Sequence, residues 1–318
     1  MIKVAEFDRL LWRGVPPWPH QVEAFAACWE WLRKSGKGRG LLQMPTGTGK
    51  SRLMRALTYA LVSERRPVVV AVPNEEILEQ MIADVRRETR TPFYVEKAER
   101  KRPATSLITL ASHASLWRRL ENYPTKTVLL FDECHHSGRP AECNLRSLER
   151  FDKVIGLSAS PWSPECSEIY QDRVLYRYEL SRAVKEGRLC SYSIEPLPEQ
   201  EEAPRDHELY FVSTNSRARA LSAACAGSAY LGWDSDGRAE LVAAFRAGRI
   251  KRLYLNRCLT EGFDCPQVSR VFVDRFTESE LFLYQMVGRA LRRSHPQKMA
   301  RLFCRDVVAM GRALDRAG

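Results

Sequence analysis

The stretch that most limits how this chain can fold is Met44-Pro45-Thr46-Gly47-Thr48-Gly49-Lys50-Ser51, set directly after Gly40-Leu41-Leu42-Gln43. A short apolar strand runs into a tight glycine-rich loop, and the loop into a helix expected over Arg52 to Val62. That order is what a phosphate-gripping loop requires. Glycines let successive backbone N–H groups turn inward on a polyanion, and the helix N-terminus adds its partial positive charge. Pro45, Thr46, Gly47, Thr48 and Gly49 form the candidate cradle. Lys50 is placed to reach the β/γ-phosphates and the Ser51 hydroxyl to take one position on Mg2+. The usual pattern opens with Gly, and Met44 stands in that place. A glycine-rich strand-to-helix turn also arises where the backbone needs φ > 0 for structural reasons alone. The loop by itself leaves both readings open.

Thr127-Val128-Leu129-Leu130-Phe131-Asp132-Glu133 is an apolar strand ending in two acids. Carboxylates at the tip of a buried strand are costly unless something positive sits opposite, and Mg2+ held by the phosphate loop supplies it. Asp132 is then the metal contact, and Glu133 orients and deprotonates the attacking water. The plainer alternative is a strand end that meets solvent. Upstream, Pro19 suits a first helical turn, and Val22, Phe25, Ala26 and Trp29 follow helical spacing. Gln21 on that turn is either an amide that reads an adenine edge or a solvated polar residue. The remaining pattern alternates: strand Pro67–Val72, a helix carrying Ile77, Leu78, Met81, Ile82 and Val85, strand Leu107–Thr109, a helix from Ser112 through Trp117, and strand Val154–Leu157. It predicts a parallel sheet with a nucleotide at the strands' carboxyl ends.

A hinge or linker is expected between about Tyr178 and Arg205, where charge and proline concentrate. Helix-like Leu180–Glu186 and strand-like Tyr192–Leu197 are embedded in it, so it is not a disordered tether. Alternation then resumes with strand Glu208–Ser213, helices Arg217–Ala226 and Arg238–Ala247, strands Arg252–Leu255 and Arg270–Val273, and helix Ser279–Leu291. No second glycine-rich phosphate loop is present. Arg289 and Arg292, three apart, are expected to share one helix face. They read either as arginine fingers toward a γ-phosphate or as a basic helix end that favours the dipole. The tail beyond them reads only as basic.

The chain's 318 residues suffice for two domains of about 150, and 44% hydrophobic with 28% charged residues is an ordinary globular balance. A formal charge of +11 makes a polyanionic partner plausible, though an ordinary basic protein carries such a charge too. Nine cysteines without a C-x-x-C pair suggest neither a zinc ribbon nor a disulfide framework. Cys134, His135, His136 and Cys143 lie close together but lack zinc-finger spacing. No signal-peptide core and no run near the roughly 18 apolar residues of a membrane span is found, so a cytoplasmic protein that does not engage membranes is expected.

Taken in order, these segments resemble the superfamily 2 DExH-box helicases and translocases. The resemblance runs from Trp18-Pro19-His20-Gln21 (adenine-sensing element) through Met44–Ser51 (motif I), Val72-Pro73-Asn74 (Ia), Thr109–Leu116 (Ib), Asp132-Glu133-Cys134-His135 (II) and Ser158-Ala159-Ser160 (III). It continues with Phe211–Asn215 (IV), Thr260–Pro266 (V) and Gln285–Arg292 (VI). Motifs V and VI look most like the subgroup that unites DNA-repair translocases with the motor of type III restriction enzymes. Cys134 in the variable DExH position and Ser160 where Thr is commoner are the departures.

The resemblance implies an α/β fold of two tandem RecA-like parallel-sheet domains, residues 1–178 and 179–318, with ATP in the cleft between them. Lys50, Asp132, Glu133, Arg289 and Arg292 would be catalytic, with Ser51 and Asp132 on Mg2+. Gln21 and the loop would hold ATP, and Gly262 and Asp264 would couple it to the track. Pro73, Asn74, Ser112, Thr214, Asn215 and Thr260 would touch nucleic acid. DNA stands ahead of RNA as partner, in repair, recombination or fork remodelling. A monomer is expected, with room for a protein partner that supplies substrate specificity. Neither a nuclease domain nor a strand-separating wedge is expected. An RNA motor and an ATP-dependent switch that remodels a complex without unwinding stay open as alternatives.

Overall fold

A computed structural model of the chain describes residues 16–96, 106–136, 148–171, 173–200, 202–205, 207–256, 265–275 and 279–317. Two compact units result: Met1–Met44 with Gly49–Tyr178, and Pro45–Thr48 with Glu179–Gly318. Among the described residues no helix is long and apolar enough to cross a membrane.

The first unit is built on seven parallel strands: β1 (Gly38–Gln43), β2 (Val68–Val72), β3 (Phe93–Val95), β4 (Ile108–Ser112), β5 (Val128–Asp132), β6 (Lys153–Ser158) and β7 (Val174–Arg177). They lie in the order β3-β4-β2-β5-β6-β1-β7. Strands β2, β4, β5 and β6 are buried along their whole length, as a parallel sheet covered on both faces requires. The helices are α1 (Pro19–Leu32), α2 (Lys50–Ser63), α3 (Glu75–Glu88), α4 (His113–Trp117) and α5 (Pro164–Tyr170). In α3 local chemistry and packing agree. Asn74 caps its first turn, Glu75 and Glu76 face the positive end of the dipole, and Arg86 and Arg87 the negative end. Leu78, Met81, Ile82 and Val85 form its buried stripe.

The second unit contains α6 (Leu180–Lys185), β8 (Ser191–Pro196), β9 (Glu208–Val212), α7 (Asn215–Ala224), β10 (Ser228–Tyr230), α8 (Arg238–Arg246), β11 (Arg252–Leu255), β12 (Arg270–Asp274), α9 (Glu280–Val287), β13 (Met299–Cys304) and α10 (Val307–Asp315). Its six strands are parallel, in the order β10-β11-β9-β12-β13-β8. The register aligns Arg252, Glu208, Arg270 and Arg301 across β11, β9, β12 and β13. Two residues further along it aligns Tyr254, Tyr210, Phe272 and Phe303. With a side-chain period of two, an ionic row and an aromatic row therefore share one face. Glu208 is fully buried between Arg252 at 2.7 Å and Arg270 at 2.6 Å. Tyr210, Phe272 and Phe303 stack with centroids 5.0 and 4.6 Å apart, and Tyr254 lies tilted against Tyr210 at 5.1 Å.

Two sequence expectations change here. The charged, proline-rich segment after Tyr178 is not one of them, since it holds the helix and strand that its pattern predicts, α6 and β8. Its β8 pairs with β13, and from the connection to β9 Glu202 accepts from Arg270 at 2.7 Å. The tail past Arg293 is not merely basic surface, because β13 completes the sheet and α10 packs on α9 and β8. The helix expected through Leu291 stops at Val287, so Arg289 and Arg292 do not share a helix face. Tertiary bonds outcompete the helical ladder at that point. Gly288 is a weak helix former, Cys190 N–H takes the Leu291 carbonyl at 2.9 Å, and Leu189 bridges Arg292. The Lys298 ammonium gathers the carbonyls of Ala290 and Pro266, each at 2.7 Å, and of Arg292. Burial pulls the Lys298 pKa down to about 8, so at neutral pH its three N–H donors remain in place.

Candidate nucleotide site and motor motifs

The glycine-rich loop leaves β1 with Gly47 at φ 88° and Gly49 at φ 89°, a left-handed backbone that glycine adopts at least cost. Thr48 closes the turn, its Oγ1 donating to the Pro45 carbonyl at 2.7 Å. Gly49 is constrained twice, since a Cβ there would sit 2.2 Å from Gln21 Nε2. Gln21 is buried and not a solvated surface residue. Its Oε1 accepts from Trp18 N–H at 3.0 Å, so one amide joins the start of α1 to the loop. Neighbouring His20 is fully buried and stacks on Tyr178 at 4.0 Å, a pairing that two residues so far apart in sequence gave no sign of.

Lys50 opens α2 and is largely buried. Its Nζ donates to the Met44 carbonyl at 3.2 Å and lies 3.8 Å from Glu133 Oε1. Its charge is thus held by weak, displaceable partners, as suits a lysine that turns to a phosphate. Ser51, the next residue, is exposed on the first turn. Asp132 is buried at the carboxyl end of β5. Glu133 follows in a left-handed conformation, φ 46°, which costs a non-glycine residue about 1–2 kcal/mol. That turn aims its carboxylate at two partners at once, Lys50 on one oxygen and His135 Nδ1 at 3.5 Å on the other. His135 Nδ1 also lies 2.9 Å from Ser158 Oγ, which accepts from Ser160 N–H at 3.0 Å. One polar chain therefore runs from the loop lysine through the second acid to the hydroxyl turn after β6.

The strand-end acid is also tied from the other side. His113 Nε2 lies 2.9 Å from the Asp132 carbonyl. Since a carbonyl only accepts, Nε2 carries the hydrogen. The His113 ring stacks on Phe131 at 4.2 Å. Cys134, in the variable motif position, faces Cys166 at 3.8 Å, and burial pushes its thiol far above the ordinary range. It packs as a small apolar residue.

Three candidate nucleic-acid residues turn out to be helix caps at strand ends. Asn74 accepts from Ile77 N–H at 3.0 Å after β2, Ser112 from Ser115 N–H at 3.4 Å after β4, and Thr214 from Arg217 N–H at 3.1 Å after β9. Pro73 precedes the first cap and Asn215 follows the third. Of the two candidate finger arginines, Arg289 is buried and Arg292 half-buried. Thr260, Gly262 and Asp264 lie outside the described residues.

Residues 15–163 match the family described as type III restriction enzyme, res subunit. The chain resembles the superfamily 2 helicases, restriction motors among them. No curated protein matches it. Among solved structures, a fragment assigned as the HsdR subunit of a type I restriction enzyme from Vibrio vulnificus YJ016 is similar with TM-score 0.75 and 17% identity, over 92% of this chain and 65% of that one. The type ISP restriction-modification enzyme LlaBIII, bound to DNA, gives 0.72 and 14% over 94% of this chain. This chain spans only 29% of that enzyme. S. cerevisiae Dbp5, bound to RNA and ADP BeF3, gives 0.68 and 16% over 96% of this chain and 88% of that one. At these identities the likeness is one of fold: α/β, with tandem RecA-like helicase domains as the neighbours.

Proposed function

We propose that the chain is an ATP-dependent nucleic-acid helicase or translocase, with DNA ahead of RNA as its track. The observation that carries this reading is the Lys50–Glu133–His135–Ser158–Ser160 chain. It links the lysine that opens α2, the second strand-end acid and the hydroxyl turn within the first unit, so a change at the γ-phosphate is felt at three motifs. The cradle fits a nucleotide: two glycines in left-handed backbone, one of them with no room for a Cβ, and a lysine on displaceable partners.

In this reading the loop N–H groups and Lys50 hold the β- and γ-phosphates, and Gln21 meets the adenine. Ser51 and Asp132 hold Mg2+, which neutralises charge on the phosphates. Glu133 orients the attacking water and takes its proton. Arg289 and Arg292 serve as the arginine fingers, Gly262 and Asp264 as coupling residues. Pro73, Asn74, Ser112, Thr214, Asn215 and Thr260 line the track. The caps accept through oxygen, so the Asn74 amide and the Thr214 hydroxyl still have N–H and O–H donors to offer a phosphate, alongside the backbone N–H groups beside them. Residues 1–178 act as the ATP-binding lobe and 179–318 as the second lobe.

The restriction-enzyme family match supports DNA, in repair, recombination or fork remodelling. An RNA track is the second reading, supported by Dbp5, whose length this chain matches far more fully than that of LlaBIII. Lys50→Ala and Glu133→Gln test the site. Each is expected to abolish ATP hydrolysis while oligonucleotide binding persists, and ordinary turnover in either purified variant sinks the assignment.

A further inference from the structure

Among the described residues Trp233 is the most exposed large apolar side chain, at 72%. It stands in the turn 231–237 after β10, and that turn is stapled from within. Asp234 accepts from Tyr230 Oη at 2.6 Å and Arg219 Nη2 at 2.8 Å, and these bonds hold its carboxyl below the usual range. Gly232 N–H donates to Ser235 Oγ at 2.8 Å. Arg238 donates to the Gly232 carbonyl at 2.7 Å and lays its guanidinium over the indole, 4.7 Å from the ring centroid. A lone exposed apolar residue is ordinary. An indole on a turn braced by this many bonds, with a guanidinium stacked on the ring, is a preorganised contact that loses little entropy on binding.

The surroundings narrow the ligand. Glu240 stands in the first turn of α8, its carboxylate oxygen 3.3 Å from where a Cβ on Gly237 would be. With Asp236 beside it, a phosphate is disfavoured there. What remains open is a π-face. Strand β10 lies two places from β9, roughly 10 Å at ordinary strand spacing, and the carboxyl end of β9 carries Thr214 and Asn215. A nucleic-acid strand passing those residues brings its bases within reach of the indole.

We propose that Trp233 is a stacking platform for an unpaired nucleobase. The proposal rests on the nucleic-acid reading above and adds a contact to bases where that reading has contacts to backbone. Stacking tolerates any sequence, because every base has a π-face. It excludes the internal base pairs of a duplex, which are already stacked on both faces.

The test is binding of labelled oligothymidine, oligouridine, an abasic oligonucleotide of equal length and a blunt duplex, to wild type, Trp233→Ala and Trp233→Phe. Trp233→Ala is expected to weaken binding to the base-bearing single strands by about tenfold. Trp233→Phe should keep most of the affinity, and abasic and duplex binding should be unchanged by either substitution. Loss on oligothymidine alone, or on oligouridine alone, supports the platform and names its strand. Unchanged binding of both single strands by Trp233→Ala overturns the proposal, as does an equal loss on the abasic strand. Wild type that binds none of the four defeats the underlying function instead.

Discussion

At the scale of single residues, Gly49 is the most sharply constrained position on the site. Its φ of 89° and the Gln21 amide 2.2 Å from a would-be Cβ act together. Gly49→Ala is therefore expected to abolish nucleotide binding, read by fluorescent-nucleotide titration, while far-ultraviolet circular dichroism stays that of the wild type. Retained binding would remove the loop from the site. The cap residues carry a second expectation. Asn74→Ala and Thr214→Ala should each lower stability by about 1 kcal/mol through the lost cap, measured by urea unfolding, in addition to any loss on nucleic acid. Much at this scale was legible in the sequence. Lys50, Ser51, Asp132 and Glu133 stand where strand, loop and helix patterning put them. The left-handed turn at Glu133 and the roles of His135 and His113 were not, since a histidine's partner across the sheet leaves no trace in local spacing.

Among elements, the ionic row of the second sheet and the segment after α9 carry the sharpest consequences. Glu208→Gln leaves Arg252 and Arg270 buried without their shared carboxylate. It is expected to cost about 3–5 kcal/mol, visible as a lower urea midpoint. Replacing Glu208, Arg252 and Arg270 together with apolar residues should cost far less, and equal losses would contradict a desolvation origin. At the edge of the same row, hydrogen bonding from Arg301 draws Glu195 down from 4.5 to about 2. A carboxylate depressed in the folded state contributes stability above its unfolded pKa. That contribution is lost as pH falls from about 4.5 toward 2, and Glu195→Gln should flatten this part of the stability profile. Lys298→Met should free the carbonyls of Pro266, Ala290 and Arg292 and cost roughly 1–3 kcal/mol. Most strands and helices followed from apolar runs and 3.6-residue stripes, but the edge strands β3, β7 and β10 did not, being only three or four residues long and incompletely buried. The early end of α9 did not, because Lys298, Leu189 and Cys190 decide it from outside the helix. Nor did β13 and α10, whose charged residues mask their alternation until β8 is in place beside them.

On the scale of the whole molecule, the proposed function has one claim at its centre, that ATP hydrolysis serves movement on nucleic acid. The family match over residues 15–163 and the fold likeness to proteins bound to DNA and to RNA support it. A grip on phosphates makes oligonucleotide binding fall steeply with salt and vary little with sequence. The charge of +11 suits such a track. The most direct measurement is steady-state ATP hydrolysis by the purified protein, alone and with single-stranded DNA, double-stranded DNA, forked DNA and RNA. Low turnover alone and strong stimulation by a nucleic acid is the expected result, and the best stimulator names the track. Turnover indifferent to every nucleic acid would contradict a motor and leave a nucleotide switch in its place, and no turnover in folded protein would contradict the ATPase assignment of this chain alone.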